Sequence, residues 1–160
     1  MVATVRPAVQ ADGPLVFALV HELAIYEKLQ HEVDATEADI TAALFRPNPR
    51  VFCDIAQHDG EPCGFALWFY NFSTFRGRHG IYLEDLFVRP EHRGRGVGRA
   101  LLANLARRCC EEGLARLEWA VLDWNEPSIG FYRALGATSQ DDWTGFRLTG
   151  DALHRLGAAA

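Results

Sequence analysis

The sequence predicts an α/β fold, with a mixed, mostly antiparallel twisted sheet of about seven strands flanked by about four helices. Segments with strand and helix periodicity alternate along the chain. An early hairpin excludes an all-parallel sheet. The 160 residues are 49% hydrophobic and 23% charged, which is typical of one globular core. We therefore expect a single domain over residues 1–160.

The first part of the chain predicts a strand and two helices. A short strand is expected at residues 3–8, and Pro14 favours the start of a helix after it. Leucines spaced for one face of this helix are Leu15, Leu19 and Leu23. Thr36, followed three residues later by Asp39, predicts the N-cap of a second helix. The proline-rich residues 46–49 end that helix.

The next segment predicts three strands. Residues 51–57 and 63–72 are rich in strand-forming side chains and flank the polar turn at 58–61, so they predict a hairpin. After a polar loop, residues 80–88 predict a third long strand.

The last part of the chain predicts further alternation. Apolar residues on one side of the next helix are Val97, Leu101 and Leu105. A strand is expected at 116–123, a helix at 125–136 and a final hairpin at 138–150.

Cysteine usage and charge limit the function classes. The cysteines show no Cys-x-x-Cys spacing, and the adjacent Cys109 and Cys110 lie in a helical pattern, where we expect small core residues. No signal peptide is recognisable and no apolar run approaches about 20 residues, so a cytoplasmic location is expected. The six histidines lack metal-ligand spacing, so no metal site is expected. The net charge of −5 argues against nucleic acid and is compatible with a cationic ligand.

A glycine-rich turn, "RPEHRGRGVGRALL" at residues 89–102, precedes the third predicted helix. A turn of this kind directs unpaired backbone N–H groups at one point, where the helix dipole favours an anion. Arginines that can add contacts to a polyanion are Arg93, Arg95 and Arg99. The alternative is a loop of glycines and solvated arginines. A Walker A loop is excluded because no Lys-Ser or Lys-Thr follows, and the glycine spacing does not fit a dinucleotide fingerprint.

The segment Arg93-Gly94-Arg95-Gly96-Val97-Gly98 matches the Arg/Gln-x-x-Gly-x-Gly/Ala signature of the GNAT N-acetyltransferases. The chain resembles this superfamily, and within it the diamine N-acetyltransferase group, which includes spermidine/spermine and thialysine acetyltransferases. Segments that carry the likeness, in the same order, are "HELAIYEK", "IYLEDLFV", "RGRGVG" and "AVLDWNEPSIGFYRALGA". The resemblance extends from about residue 4 to the end of the predicted elements and implies one GNAT-type domain.

The resemblance implies acetyl-CoA as co-substrate, held by backbone amides of the turn and of the preceding strand. The residues that it assigns to this role are Leu86, Phe87, Val88, Arg93, Gly94, Arg95, Gly96, Val97, Gly98, Arg99, Asn125, Pro127, Ser128 and Tyr132. Asn125 is also a suitable helix N-cap. In the family, the tyrosine that corresponds to Tyr132 is the proposed general acid, which protonates the departing thiolate. The alternative for Tyr132 is an amphipathic core residue.

Two carboxylates, Glu84 and Asp85, interrupt an otherwise apolar strand. Neighbouring strand residues point to opposite faces, so both cannot reach one polar surface. Burial of an unpartnered carboxylate is unfavourable, so each has either a partner or a function. Asp85 is a hydrogen-bond acceptor, a dimer-contact charge or a functional group; Glu84 is expected to bind a cationic amine and to accept its proton, directly or through water.

The resemblance places substrate contacts at Tyr26, Glu27, Glu84, Asp85 and Glu118. A polyamine-specific member is expected to carry an acid in the loop at 73–75, where this chain has Ser-Thr-Phe followed by Arg76 and Arg78. A thialysine-like or lysine-like amine is therefore the first choice and a polyamine the second. The acetyl group would pass by direct attack in a ternary complex.

Two other functions stay open. The domain could acetylate protein lysines or N-termini, or it could be a non-catalytic acetyl-CoA sensor. Glu84 and Tyr132 argue against a sensor, which needs neither. Family members are homodimers, and the resemblance implies the same assembly here.

Overall fold

A computed structural model describes residues 3–159. The chain divides into two compact units, the first ending at Ala120 and the second beginning at Val121. The helices and strands of the first unit are β1 (Thr4–Pro7), α1 (Gly13–Tyr26), α2 (Glu37–Phe45), β2 (Phe52–His58), β3 (Glu61–Ser73), β4 (Arg78–Val88), α3 (Val97–Glu112) and β5 (Leu117–Trp119). Short 3-10 turns lie at Gln10–Asp12, Gln30–Glu32 and Pro90–His92. The second unit contains α4 (Glu126–Ala134) and α5 (Gly150–Ala158).

The sheet has the strand order β1-β2-β3-β4-β5. Successive strands from β1 to β4 pair antiparallel, and β5 pairs parallel to β4. The predicted class, a mixed and mostly antiparallel sheet with helices, is confirmed. The predicted count of seven strands is wrong, because the described residues form five.

The core forms between α1, α2 and one face of the sheet. Its buried members are Val16, Leu19, Leu23, Leu44, Cys53, Ile55, Phe65 and Phe87. The predicted start of α2 is confirmed: the Thr36 hydroxyl accepts from the Asp39 N–H at 3.2 Å, and the Asp39 carboxylate accepts from the Thr36 N–H at 2.8 Å. This reciprocal cap satisfies backbone donors that the first turn of a helix leaves unpaired.

Helix α3 packs through the face that its sequence predicts, since Val97, Leu101 and Leu105 are fully buried. The prediction for the cysteine pair is correct for Cys109, which is buried, and wrong for Cys110, which is exposed. Consecutive helical residues differ by about 100° around the axis, so Cys110 lies beyond the edge of the buried face that contains Cys109. All four cysteines are free.

The predicted hairpin at 138–150 is wrong: residues 138–149 contain no strand, and a fifth α-helix, α5, follows. The large apolar side chains of this segment are Trp143, Phe146 and Leu148. Trp143 and Phe146 are three positions apart with Gly145 between them, so only Phe146 and Leu148 alternate, which is too little for the two strands of a hairpin. The strand predicted at 116–123 is shortened to β5. No helix among the described residues is long and apolar enough to cross a membrane.

Candidate functional site

The glycine turn (residues 93–98) connects the 3-10 turn after β4 to α3. Gly94 and Gly96 have φ of 71° and 80°, a region that glycine occupies without the steric penalty of a Cβ. Gly96 is the N-cap of α3, and no side chain caps this end. The Ala100 N–H donates to the Gly96 carbonyl at 2.9 Å and closes the first helical turn. The N–H groups that precede Ala100 in this first turn have no acceptor within the helix.

The surroundings of the glycine turn suit an anion. Apart from each glycine and its chain neighbours, no atom of residues 3–159 lies within 4 Å of a Cβ built on Gly94 or Gly96, so a ligand can approach the backbone. The first turn of α3 carries no acidic residue. Arg95 and Arg99 are exposed beside it. A long helix with an uncapped, positively polarised N-terminus fits a phosphate group.

Arg93 makes different contacts from the rest of the turn. Its Nε donates to the Val88 carbonyl at 2.8 Å. Its guanidinium carbon lies 4.8 Å from the ring centre of Tyr26 and 5.4 Å from that of Phe87. Phosphate binding was the role predicted for Arg93. No local pattern in the sequence indicated its contacts with the Tyr26 and Phe87 rings, which join the glycine turn to the end of α1.

Strand β4 has an unpaired edge at its C-terminal end. Pairing with β5 ends at Leu83 and Trp119, so Glu84–Val88 have no strand partner on that side among the described residues. On the other side Leu86, Phe87 and Val88 pair with β3. The free edge leaves backbone N–H and C=O groups available to a ligand that lies along the strand.

A β-bulge places the two carboxylates of β4. Leu67 of β3 pairs with Asp85, and the next residue, Trp68, pairs with Leu83, so Glu84 is the extra residue. Glu84 is exposed, whereas Asp85 is partly buried. The two carboxylates therefore differ in exposure, as the sequence predicts, and the bulge locally changes the register between β3 and β4.

Glu27, Glu84 and Asp85 form an acidic cluster. Burial and the charges of Glu84 and Glu27 raise the pKa of Asp85 from 3.8 to about 7. Burial also raises the pKa of Glu27, which caps the C-terminal end of α1. The ion pairs of Arg6, Arg89, Arg107, Arg108 and Arg116 are made with other carboxylates. The cluster therefore favours a positively charged ligand.

Glu118 lies on the neighbouring strand and is held by protein partners. Its carboxylate accepts from Arg116 Nε at 2.8 Å and from Asn71 Nδ2 at 3.1 Å. Tyr82 pairs with Glu118 in the sheet, and its pKa is raised by burial and by the charges of Glu84 and Glu118. Sequence reasoning missed Tyr82, although its position two residues before Glu84 on one strand was a signal.

The second unit contains the other predicted residues. The Asn125 side chain accepts from the Ser128 N–H at 3.4 Å, which confirms the predicted cap of α4. Asn125 is buried, and Pro127 lies in the first turn. Tyr132 is partly buried, with its ring 5.6 Å from that of Phe131. The role of Tyr132 stays a prediction.

Candidate metal ligands give no further site. No group of three or more His, Cys, Asp and Glu side chains in residues 3–159 has an arrangement that could hold a metal ion. Glu27, Glu84 and Asp85 likewise do not form an arrangement that could hold a metal ion.

Comparison with known proteins identifies the family. The profile described as "Acetyltransferase (GNAT) family" matches residues 16–137. Thialysine N-epsilon-acetyltransferase of Bos taurus is 37% identical over 95% of each chain. L-ornithine N5-acetyltransferase NATA1 of Arabidopsis thaliana is 30% identical over 98% of this chain and 88% of that protein. Among solved structures, an integron cassette protein from V. cholerae superimposes with a TM-score of 0.80 at 25% identity, covering 98% of each chain.

These matches confirm the resemblance on independent grounds. The family profile covers both the glycine turn and α4, and the relatives align over nearly the whole chain. The chain is an N-acetyltransferase that belongs to the acetyltransferase (GNAT) family.

Proposed function

We propose that this protein transfers the acetyl group of acetyl-CoA to the primary amine of a small cationic substrate, in a ternary complex and without a covalent enzyme intermediate. The observation that carries the proposal is the acidic cluster, with Glu84 and Asp85 on the strand that leads to the glycine turn and Glu27 at the end of α1. A lysine-like amine, such as thialysine, is the first choice, and a diamine or polyamine is the second.

The proposed acetyl-CoA site uses the uncapped start of α3 and the unpaired edge of β4. The glycine turn binds the phosphates through backbone N–H groups, aided by Arg95 and Arg99. The backbone at Leu86–Val88 binds the pantetheine arm, and an amide there polarises the thioester carbonyl. Acetyl-CoA supplies the activated acetyl group when it is bound.

The acidic cluster would attract and then deprotonate the amine. An ammonium has no free electron pair, so the nitrogen must lose a proton before it attacks. Glu84, exposed at the bulge, contacts the amine and accepts its proton, directly or through water. Asp85, with a pKa of about 7, can exchange a proton near neutral pH and supports this step. Tyr132 of α4 then protonates the departing thiolate.

The substrate class follows from charge and from the relatives. The two sequence relatives described above are named for thialysine and for L-ornithine. The chain places Arg76 in the β3–β4 connection and Arg78 at the start of β4, and cations at these positions oppose a long polycation. The three carboxylates of the acidic cluster suffice for one ammonium group.

Assembly, domain organisation and location complete the proposal. Large apolar side chains are exposed in the second unit, among them Phe146 at 96% and Trp143 at 79%. Exposed apolar area of this kind favours association, and a homodimer would cover it. The family profile crosses the boundary between the units, which supports one domain over residues 1–160. The proposed location is the cytoplasm.

The test is thiol release from acetyl-CoA, followed continuously with thialysine, lysine, short diamines, spermidine, spermine and a set of lysine and N-terminal peptides. Turnover of a small amine, with the acetylated product identified by mass, supports the proposal. Turnover of peptides alone would replace it with protein acetylation. Tight acetyl-CoA binding with no turnover of any amine would replace it with a sensor function.

A further inference from the structure

Arg93 connects the two segments that carry the acidic cluster. Its guanidinium lies over the ring of Tyr26, the last residue of α1 and the neighbour of Glu27. It also lies over Phe87, two residues after Asp85 on β4, and its Nε holds the Val88 carbonyl. One side chain therefore contacts both the end of α1 and the end of β4.

The aromatic rings themselves form part of this connection. The Tyr26 and Phe87 ring centres are 6.5 Å apart at an angle of 55°. A guanidinium over two aromatic faces gains a cation–π interaction with each, and the hydrogen bond to Val88 fixes its position. Phe87 belongs to the buried core, so the less buried contact, Tyr26, is the one that Arg93 restrains.

The acidic cluster needs such a restraint. Glu27 and Asp85 carry like charges, and the charge of Glu27 contributes to the raised pKa of Asp85. Repulsion between the two carboxylates, when both are ionised, tends to separate the end of α1 from β4. Lys28, directly after the cap, has a φ of 61°, so the chain leaves the helix abruptly after Glu27. The Lys28 N–H donates to the Ile25 carbonyl at 3.0 Å and the Leu29 N–H to the Ala24 carbonyl at 2.8 Å, so the turn is held to the helix and contacts at Tyr26 act on the neighbouring Glu27.

We propose that Arg93 is a positioning residue for the amine site: it holds Tyr26, and with it Glu27, against the end of β4, so that the acidic cluster is assembled before the cationic substrate binds. The inference rests on the proposed function, since it assigns a purpose to the acidic cluster. It differs from a purely phosphate-binding role for Arg93, because that role would change the KM for acetyl-CoA alone.

The kinetic test compares Arg93→Met, Arg93→Lys and the matched control Arg95→Met, an exposed arginine of the same turn. At saturating acetyl-CoA we expect Arg93→Met to raise the KM for thialysine about fivefold to twentyfold, because two cation–π contacts and a hydrogen bond are lost. Arg93→Lys keeps the positive charge, so it should raise the KM for thialysine less than Arg93→Met does. Arg95→Met should raise the KM for acetyl-CoA and leave the KM for thialysine unchanged.

A second measurement does not depend on activity. Amide hydrogen exchange in a peptide covering residues 23–29 should become several-fold faster in Arg93→Met and stay unchanged in Arg95→Met. If Arg93 acts through its contact with Tyr26, Arg93→Met should cause little further increase in this exchange rate when Tyr26 is already replaced by leucine.

The outcomes separate the two proposals. An Arg93→Met variant that raises only the KM for acetyl-CoA, with normal exchange at residues 23–29, would overturn the positioning role. A protein that turns over no small amine would overturn the proposed function, while the exchange result would still decide whether Arg93 holds the end of α1.

Discussion

Replacement of Asp85 by asparagine should remove a pH-dependent loss of stability. Asp85 has a pKa of about 7 in the folded chain, against an ordinary value of 3.8, because it is buried near Glu84 and Glu27. A carboxyl group whose pKa is raised by folding favours the folded state while it is neutral. That contribution is complete below about pH 4 and is lost as the pH rises through about 7.

The size of the effect follows from the two pKa values. Each pH unit between them corresponds to about 1.4 kcal/mol. Because the unfolded chain is ionised at pH 5 and the folded chain becomes ionised only near pH 7, the free energy of unfolding should fall by about 2–3 kcal/mol between pH 5 and pH 8. Asp85→Asn has no ionisation at this site, so its free energy of unfolding should not show that fall.

The assay is urea unfolding of the wild type, Asp85→Asn and Asp12→Asn at pH 5, 6, 7 and 8. Asp12 is a suitable control because its ion pair with Arg6 lowers its pKa, so it is ionised throughout this range in both states. Asp12→Asn should be less stable than the wild type by a constant amount. Parallel curves for the wild type and Asp85→Asn would refute the raised pKa of Asp85.

Three further predictions concern the glycine turn, the ion pair between Arg89 and Glu22, and the proposed general acid Tyr132. Gly96→Ala places a Cβ at a φ of 80°, which should lower the free energy of unfolding by about 1 kcal/mol and raise the KM for acetyl-CoA; unchanged values for both would contradict the role of the turn. Arg89→Met removes the paired contacts of 2.9 and 3.0 Å with Glu22, and a double-mutant cycle with Glu22→Gln should give a coupling of about 0.5–1 kcal/mol rather than zero. Tyr132→Phe should lower kcat about tenfold or more with little change in acetyl-CoA binding, and an unchanged kcat would exclude the general-acid role.

Local patterns predicted the elements that depend on local signals. The hairpin of β2 and β3, the cap at Thr36 and the buried face of α3 each follow from periodicity and turn chemistry. The segment at 138–150 depends instead on a neighbouring strand to pair with, and its composition does not specify one. That dependence explains why the final hairpin was predicted wrongly.

The candidate site was predictable in its chemistry and less so in its geometry. The carboxylates in β4 and the glycine turn were recognisable because charge inside an apolar strand and glycines before a helix are unusual. The bulge at Glu84 depends on the register between β3 and β4. The contact between Arg93 and Tyr26 depends on where α1 ends relative to β4. Both arise from tertiary packing, which a single sequence does not encode in any local pattern.

The central claim is that the acidic cluster recognises and deprotonates the amine. The most direct test is kcat/KM for thialysine in Glu84→Gln beside Glu61→Gln, an exposed carboxylate at the start of β3. We expect Glu84→Gln to lower kcat/KM about a hundredfold, since both charge attraction and proton acceptance are lost, with Glu61→Gln unchanged. Equal activity of the two variants would contradict the claim.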